Sequence, residues 1–310
     1  MKGMAQTMFP AMGTLNVIST DSIAKIRILD EAKEYVFGLD KALSVFFGDS
    51  EVSRFNTQSG SWFTLSDDVY DILSESIRMS KLTDGAFDIT SGPLNAVWKK
   101  AIRSSKLPGF KEIRQAKRLV DWHNVELDAE NKRARLKKRG MSIDFGGIAK
   151  GYAADRLFEM MACEGIDNAT INLGGSVGVL GKASQVGIQN PYRPTGEPLG
   201  FITLENRFAI TSGTYERGLS INGKRFHHII DPRSGEPAQN GLISVTLIGE
   251  KATELDAFAT AVFVMGAEKA LPLLQERGID AVIITDSGEI YLSRGMESNF
   301  ELIKKRSLRK

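Results

Sequence analysis

The sequence predicts an α+β fold, and three observations carry that expectation. Strand-like stretches come in neighbouring pairs joined by tight-turn signals, among them Met12-Gly13-Thr14 and the strong hairpin pair Asn222-Gly223. Helical stretches separate these pairs in an irregular order, without the alternation of a βαβ series. No G-x-G-x-x-G follows a first strand, so a dinucleotide-binding doubly wound sheet is not expected.

Taken in order, residues 8–20 read as strand with a turn at Met12-Gly13-Thr14. Residues 22–46 carry Leu29, Ala32, Val36, Leu39 and Leu43 at helical spacing. Residues 49–56 are polar and compact, with only Val52 and Phe55 to bury. A second helix covers 65–82 behind Ser66 as N-cap, facing Val69, Ile72, Leu73 and Ile77 inward. It stops at Thr83-Asp84-Gly85, and 86–94 follow as an ordered loop. A hairpin spans 125–136, turning near Ala129-Glu130-Asn131. Residues 141–143 read as strand and lead into Asp144-Phe145-Gly146-Gly147, then a helix carried by Ala153, Leu157 and Met161. Strands follow at 169–173, 177–180, 185–189, 201–204 and 208–212, then one over 225–230 that ends at Asp231-Pro232. The chain closes with a strand at 242–248, helices at 253–265 and 267–277, and a hairpin of 280–285 with 289–292.

Composition excludes more than it selects. The chain has 310 residues, 42% hydrophobic and 25% charged, as in an ordinary soluble protein. Forty Lys and Arg against 38 Asp and Glu leave a net charge of +2, which gives no general reason to expect nucleic acid. The basic end of the chain, within 296–310, reads as a solvated tail. Cys163 is the only cysteine, which excludes an internal disulfide and a cysteine metal cluster, and it reads as a packing residue beside Met160 and Met161. No apolar run approaches the length of a membrane span, and neither a signal peptide nor an early cysteine for a lipid anchor is visible. The expectation is a cytoplasmic protein as given, with an exported form supplied without its signal as the alternative.

Three stretches can carry chemistry. In 144–155 a strand-like end turns through two glycines into a helix. Such a turn lets backbone N–H groups approach a ligand, and the helix start favours phosphate. Asp144 stands where a carboxylate reaches a ligand or metal, and Lys150 where an ammonium offsets phosphate charge. Asp256 and Thr260, four apart on one helix, share a face and offer two hard oxygen ligands suited to Mg²⁺. An Asp among so many apolar neighbours is costly unless paired or metal-bound. His227 and His228 alternate on a strand, so at most one of them faces a site. Gly218 to Lys224 has P-loop spacing, but Arg225 stands where Ser or Thr must hold the metal, and a hairpin follows instead of a helix.

Together these segments resemble the ApbE family, the flavin transferases that move FMN from FAD onto a protein hydroxyl. The likeness runs from about Pro10 to Leu292. It rests on Met12-Gly13-Thr14, the segments 50–56, 85–90 and 144–155, Ile171-Asn172-Leu173-Gly174-Gly175, and the segments 211–217, 227–235 and 256–261. The resemblance implies a single compact, T-fold-like α+β domain of mixed, mainly antiparallel sheet with flanking helices and an FAD cleft between lobes. It implies that Asp256, Thr260 and the Gly147 carbonyl coordinate Mg²⁺. It implies that Met12, Ala86, Phe87, Asp88, Asp144 and Lys150 contact FAD, and that His228 assists proton transfer beside the catalytic Asp256. Ser176, Thr214 and Phe145 depart mildly from the family pattern, with changes of fit expected rather than loss of activity.

The implied reaction is Mg²⁺-dependent transfer of FMN from FAD to a Thr or Ser hydroxyl of an acceptor flavoprotein, releasing AMP. Subunits of membrane redox complexes are the family's usual acceptors. The residues alone leave two alternatives open: a metal-dependent FAD pyrophosphatase giving FMN and AMP, and an FAD-binding protein without turnover.

Overall fold

A hairpin opens the chain, β1 (Ala5–Ala11) paired with β2 (Thr14–Thr20) from Ala5↔Thr20 to Ala11↔Thr14. Its tight connection takes Met12 and Gly13 to φ values of 53° and 73°, the left-handed region that a residue other than glycine seldom enters. The computed structural model describes residues 4–215, 218–221 and 224–303.

Helix α1 (Arg27–Leu43) buries Leu29, Ala32, Val36, Leu39 and Leu43, the stripe its period requires. It starts later than the sequence suggests, because residues 23–25 form a separate 3₁₀ turn. The polar segment after it is a short helix, α2 (Glu51–Thr57), whose Ser50 hydroxyl caps the Ser53 amide at 2.9 Å while Val52 and Phe55 are buried. After the short strand β3 (Phe63–Thr64) comes α3 (Asp67–Leu82). Ser66 stands at its N-cap position, but the hydroxyl donates to Glu51 at 2.8 Å and caps nothing.

Two helices went unread in the sequence, α4 (Gly92–Ser104) and α5 (Phe110–Lys117). The segment read as ordered loop therefore ends at Ser91, and Pro93 sits in the first turn of α4, where its missing N–H costs nothing. The two helices form a hairpin on a small separate core of Leu94, Trp98, Ala101, Ala116 and Ile230. Strands β4 (Val125–Asp128) and β5 (Arg133–Leu136) then join β3 in a three-stranded sheet.

Residues 141–143 form no strand, contrary to expectation. The Asn56 side chain takes both backbone groups of Ile143, accepting from its N–H at 2.8 Å and donating to its carbonyl at 3.0 Å, so no neighbouring strand is needed. A 3₁₀ turn over Phe145–Gly147 leads into α6 (Ala149–Cys163). Ala153, Leu157 and Met161 are buried on one face of α6. Cys163 follows Met161 by two positions, which turns it to the opposite face, and it is exposed rather than packed.

The second half supplies β6 (Ala169–Leu173), β7 (Ser176–Leu180), β8 (Ser184–Gln189), β9 (Pro198–Leu204), β10 (Arg207–Gly213), β11 (Gly218–Ile221), β12 (Lys224–His227) and β13 (Leu242–Gly249). Helices α7 (Ala252–Met265) and α8 (Ala267–Glu276) follow, then β14 (Asp280–Thr285), β15 (Ile290–Leu292) and β16 (Glu301–Leu302). Strands β11 and β12 pair as a hairpin, while the Asn222-Gly223 signal itself lies outside the described residues. The main sheet runs β1-β2-β6-β7-β10-β13-β14-β15, antiparallel at every pairing. Helices α6 and α7 cover one face over Ile171, Leu173, Ile210 and Leu247. The small sheet β16-β9-β8 contributes Ile188, Ile202 and Leu204 to a second core with Val179, Ile248 and Val282.

That second core corrects the expected solvated tail. Met296 is 1% exposed, and Glu301 and Leu302 pair with Phe201 and Gly200 of β9. Residues 304–310 lie outside the described residues. No helix among the described residues is long and apolar enough to cross a membrane.

Candidate active site

Helix α7 is apolar on nearly every side, and this drives it into the core between α6 and the sheet. Asp256 is 1% exposed within it, so its carboxylate must be matched by donors. Oδ2 accepts the Gly151 amide at 3.0 Å, and the Lys150 ammonium lies 3.8 Å from Oδ1. Gly151 is in the first turn of α6, where backbone N–H groups have no partner within the helix. Only glycine fits there: a Cβ would overlap the Ala252 carbonyl oxygen and come within 2.8 Å of Asp256 Cβ. Asp155 of α6 serves α7 in turn, accepting from the Ala252 and Thr253 amides at 2.9 Å each and from the Thr253 hydroxyl at 2.6 Å. Burial pushes the Asp155 carboxyl above its usual range, and these donors only partly oppose it.

Thr260 lies one turn beyond Asp256 and is half-buried. Its hydroxyl has no hydrogen-bond partner among the described residues. A Cβ at Gly147 would stand 2.8 Å from that oxygen and 3.5 Å from the Phe87 ring, so Gly147 closes on Thr260 because it has no side chain. Among the described residues no three His, Cys, Asp or Glu side chains gather to hold a metal. What α7 offers is one carboxylate and one hydroxyl, with the Gly147 backbone closing on the hydroxyl. That is an all-oxygen set with a single charge, which fits Mg²⁺ and the waters or phosphate oxygens it retains and would not fit Zn²⁺.

Asp144 anchors the other side of the Gly146-Gly147 turn. Its carboxylate accepts from the Gly146 amide at 2.9 Å, Asn95 Nδ2 at 3.1 Å and Lys99 Nζ at 2.8 Å. Burial raises this carboxyl, and Lys99 with the amide donors more than offsets it, holding the group below the usual carboxylate range. Asn95 and Lys99 escaped the sequence reading. Their spacing of four on one helix face was the available signal, and it was legible only after α4 had been recognised.

The loop holding Ala86, Phe87 and Asp88 is tied to this turn by the Asp144 amide, which donates to the Ile89 carbonyl at 3.1 Å. Ala86 and Phe87 are buried. Asp88 spends its carboxylate inside the loop, accepting from Thr90 N at 2.8 Å, Thr90 Oγ1 at 2.6 Å and Trp122 N at 3.3 Å. Burial pushes its carboxyl above the usual range despite these donors. Met12 sits on the β1–β2 turn, where its amide donates to Asp40 at 2.8 Å. A shallow cavity of about 420 Å³ lies beside it, lined by Pro10, Ala11, Gly13, Thr14 and Leu15. Asp256 and Thr260 do not line it. Ser176 is fully buried, with no hydrogen-bond partner for its Oγ among the described residues.

The two histidines separate, though not by strand alternation. β12 ends at His227, and His228 lies in the bend beyond it, half-buried. His227 is 9% exposed; its Nε2 is 2.7 Å from the Ala238 carbonyl, and its Nδ1 accepts the Ile229 amide at 3.2 Å. That pattern fixes the neutral tautomer protonated on Nε2, and burial lowers the pKa. His227 is thus committed to the fold.

Comparison with known proteins places the chain as a whole. The chain is 34% identical over 288 residues to the FAD:protein FMN transferase of Klebsiella pneumoniae, covering 92% of this chain and 90% of that one. It is 30% identical to the FAD:protein FMN transferase of Treponema pallidum, over 95% and 88% of the two chains. The crystal structure of the ApbE protein from Thermotoga maritima superposes with a TM-score of 0.87 at 31% identity, over 96% of this chain and 99% of the other. The ApbE family model matches residues 12–283, and over that span, nearly its whole length, this chain belongs to the ApbE family.

Proposed function

We propose that this protein transfers FMN from FAD to a Thr or Ser hydroxyl of an acceptor flavoprotein, with Mg²⁺ and with release of AMP. The reading is supported by the close approach of Gly147 to Thr260, one turn along α7 from the buried Asp256, in a chain whose relatives are named FAD:protein FMN transferase. In the reaction the acceptor oxygen bonds to the phosphorus of the FMN half. The anhydride bond to the AMP half breaks, AMP leaves, and the hydroxyl proton passes to a base.

Such phosphoryl chemistry needs positioning and charge neutralisation more than covalent help. Mg²⁺ on Asp256, Thr260 and the Gly147 carbonyl would supply a Lewis acid for the pyrophosphate. The protein's own part is to hold these ligands. The Gly151 amide and the Asp155 cap keep Asp256 from turning, and Gly147 keeps the Thr260 hydroxyl within reach. The Lys150 ammonium beside Asp256 is placed to meet phosphate charge. His228 takes the acceptor proton, a role that suits an imidazole at neutral pH. Ala86, Phe87, Asp144 and Met12 form the walls for FAD.

Incubation with FAD, Mg²⁺ and an acceptor domain, followed by in-gel flavin fluorescence under denaturing conditions, tests this. A fluorescent acceptor band that disappears when the acceptor Thr or Ser is changed to Ala supports the transferase. AMP and free FMN with a dark acceptor would favour hydrolysis instead.

A further inference from the structure

Beyond Asn95 and Lys99, the α4–α5 hairpin contributes nothing to the site, yet it carries a strong excess of positive charge. Residues 99–118 hold eight Lys or Arg against a single acid, Glu112, a net +7 in a chain whose total is +2. All but Lys99 of these cations are exposed. Among the described residues Lys100 pairs with Glu112 at 3.1 Å, and the other exposed cations of the hairpin have no carboxylate within ion-pair distance. The apolar side of the hairpin is already satisfied by its own core of Leu94, Trp98, Ala101 and Ala116.

The turn between the helices points two apolar side chains at solvent. Leu107 is 48% exposed and Phe110 is 79% exposed, more than any other large apolar side chain among the described residues. Folding leaves them out, and the cations Arg103, Lys106, Lys111 and Arg114 flank them in sequence.

We propose that this hairpin docks the protein on an anionic lipid bilayer. Leu107 and Phe110 enter the acyl boundary, and the surrounding cations meet the headgroups. Cations around an apolar tip are the pattern of interfacial membrane binding, where apolar burial and attraction to anionic lipid add. An acidic protein or a nucleic acid would satisfy the cations but would need a pocket for a projecting Phe and Leu; a bilayer takes them without one. The inference is independent of the reading of the active site. It also gives that site a location, because α4 carries both the basic face and the Asn95 and Lys99 contacts to Asp144.

Sedimentation of the protein with phosphatidylcholine vesicles, with and without phosphatidylglycerol, tests the proposal. The protein is expected to bind the phosphatidylglycerol vesicles and to be released by high salt. Combined Lys106→Glu, Lys111→Glu and Arg114→Glu should weaken binding by about 100-fold or more, at about fivefold per cation removed. Combined Leu107→Ser and Phe110→Ser should weaken it on the same vesicles with charge unchanged. Both variants should melt like wild type, since every altered side chain is exposed. No binding to phosphatidylglycerol vesicles, or binding unchanged in both variants, would overturn the proposal. So would a charge variant that leaves vesicle binding intact but raises the KM for a soluble acceptor, because the face would then serve a protein.

Discussion

The Asp256 carboxylate accepts the Gly151 amide at 3.0 Å across the α6–α7 contact. Four residues along α6, Asp155 accepts the Ala252 and Thr253 amides at the start of Asp256's own helix. Each helix thus supplies the carboxylate that satisfies first-turn N–H groups of the other. The exchange fixes the rotation of α7 against α6, and with it the direction in which Asp256 and Thr260 point.

Breaking either half of this exchange should cost stability before chemistry. Asp155→Ala leaves three donors without their acceptor and is expected to destabilise by about 2 kcal/mol. Gly151→Ala forces a methyl against the Ala252 carbonyl and should cost about 1–3 kcal/mol or more. Thermal or urea unfolding measures both. A wild-type midpoint for Gly151→Ala would mean that the helices do not pack this closely.

Changes to the ligand set should reach the chemistry directly, with Asp256→Ala also losing the Gly151 contact. Asp256→Ala and Thr260→Val are expected to retain FAD binding while transfer falls by about 100-fold or more, the scale for losing metal-assisted charge stabilisation. Gly147→Ala, which would press a methyl on Thr260 Oγ1, should raise the Mg²⁺ concentration needed for half-maximal rate. Equilibrium FAD titration alongside initial rates separates binding from turnover.

The two histidines should divide by phenotype. His228→Ala is expected to lower kcat by roughly 100- to 10,000-fold. His227→Ala leaves the Ile229 amide and the Ala238 carbonyl unpaired in a buried place and should cost about 1–3 kcal/mol of stability. Reversal of these two outcomes would exchange their roles.

Asp144 sets a pH signature. An unfolded Asp ionises near 3.9, and the folded Asp144 ionises below that. Its contribution to stability is therefore fully present above about pH 4 and is lost as pH falls through the folded value. Lys99→Met removes the cation responsible and should cost about 2 kcal/mol at pH 7. The gap to wild type should narrow as pH drops below about 4. A gap that widened in acid would contradict the assignment.

Most of the framework was legible in the sequence because periodicity and turns are local. The α1 stripe, the 125–136 hairpin and the closing β14–β15 hairpin follow from residue spacing alone. The Asp256–Thr260 face was equally readable, since four residues make a turn on any helix. Failures came where distant residues decide. Asn56 replaces a strand partner for Ile143 from 87 positions away, and Lys99 reaches Asp144 from another helix. Burial of Met296 depends on β9 and not on its own polar neighbours, which is why the tail looked solvated. The contrast between His227 and His228 rests on where β12 stops, and helix or strand ends are the least determined feature of any sequence.

Metal-dependent transfer of FMN through Asp256 can be read directly. Its most direct measurement is the intact mass of an acceptor domain, carrying one accessible Thr, after incubation with this protein, FAD and Mg²⁺, beside EDTA and Asp256→Ala controls. The account predicts a gain of one FMN per acceptor that both controls abolish. An acceptor modified equally in EDTA or by Asp256→Ala would contradict it, as would intact FAD and an unmodified acceptor in the presence of Mg²⁺.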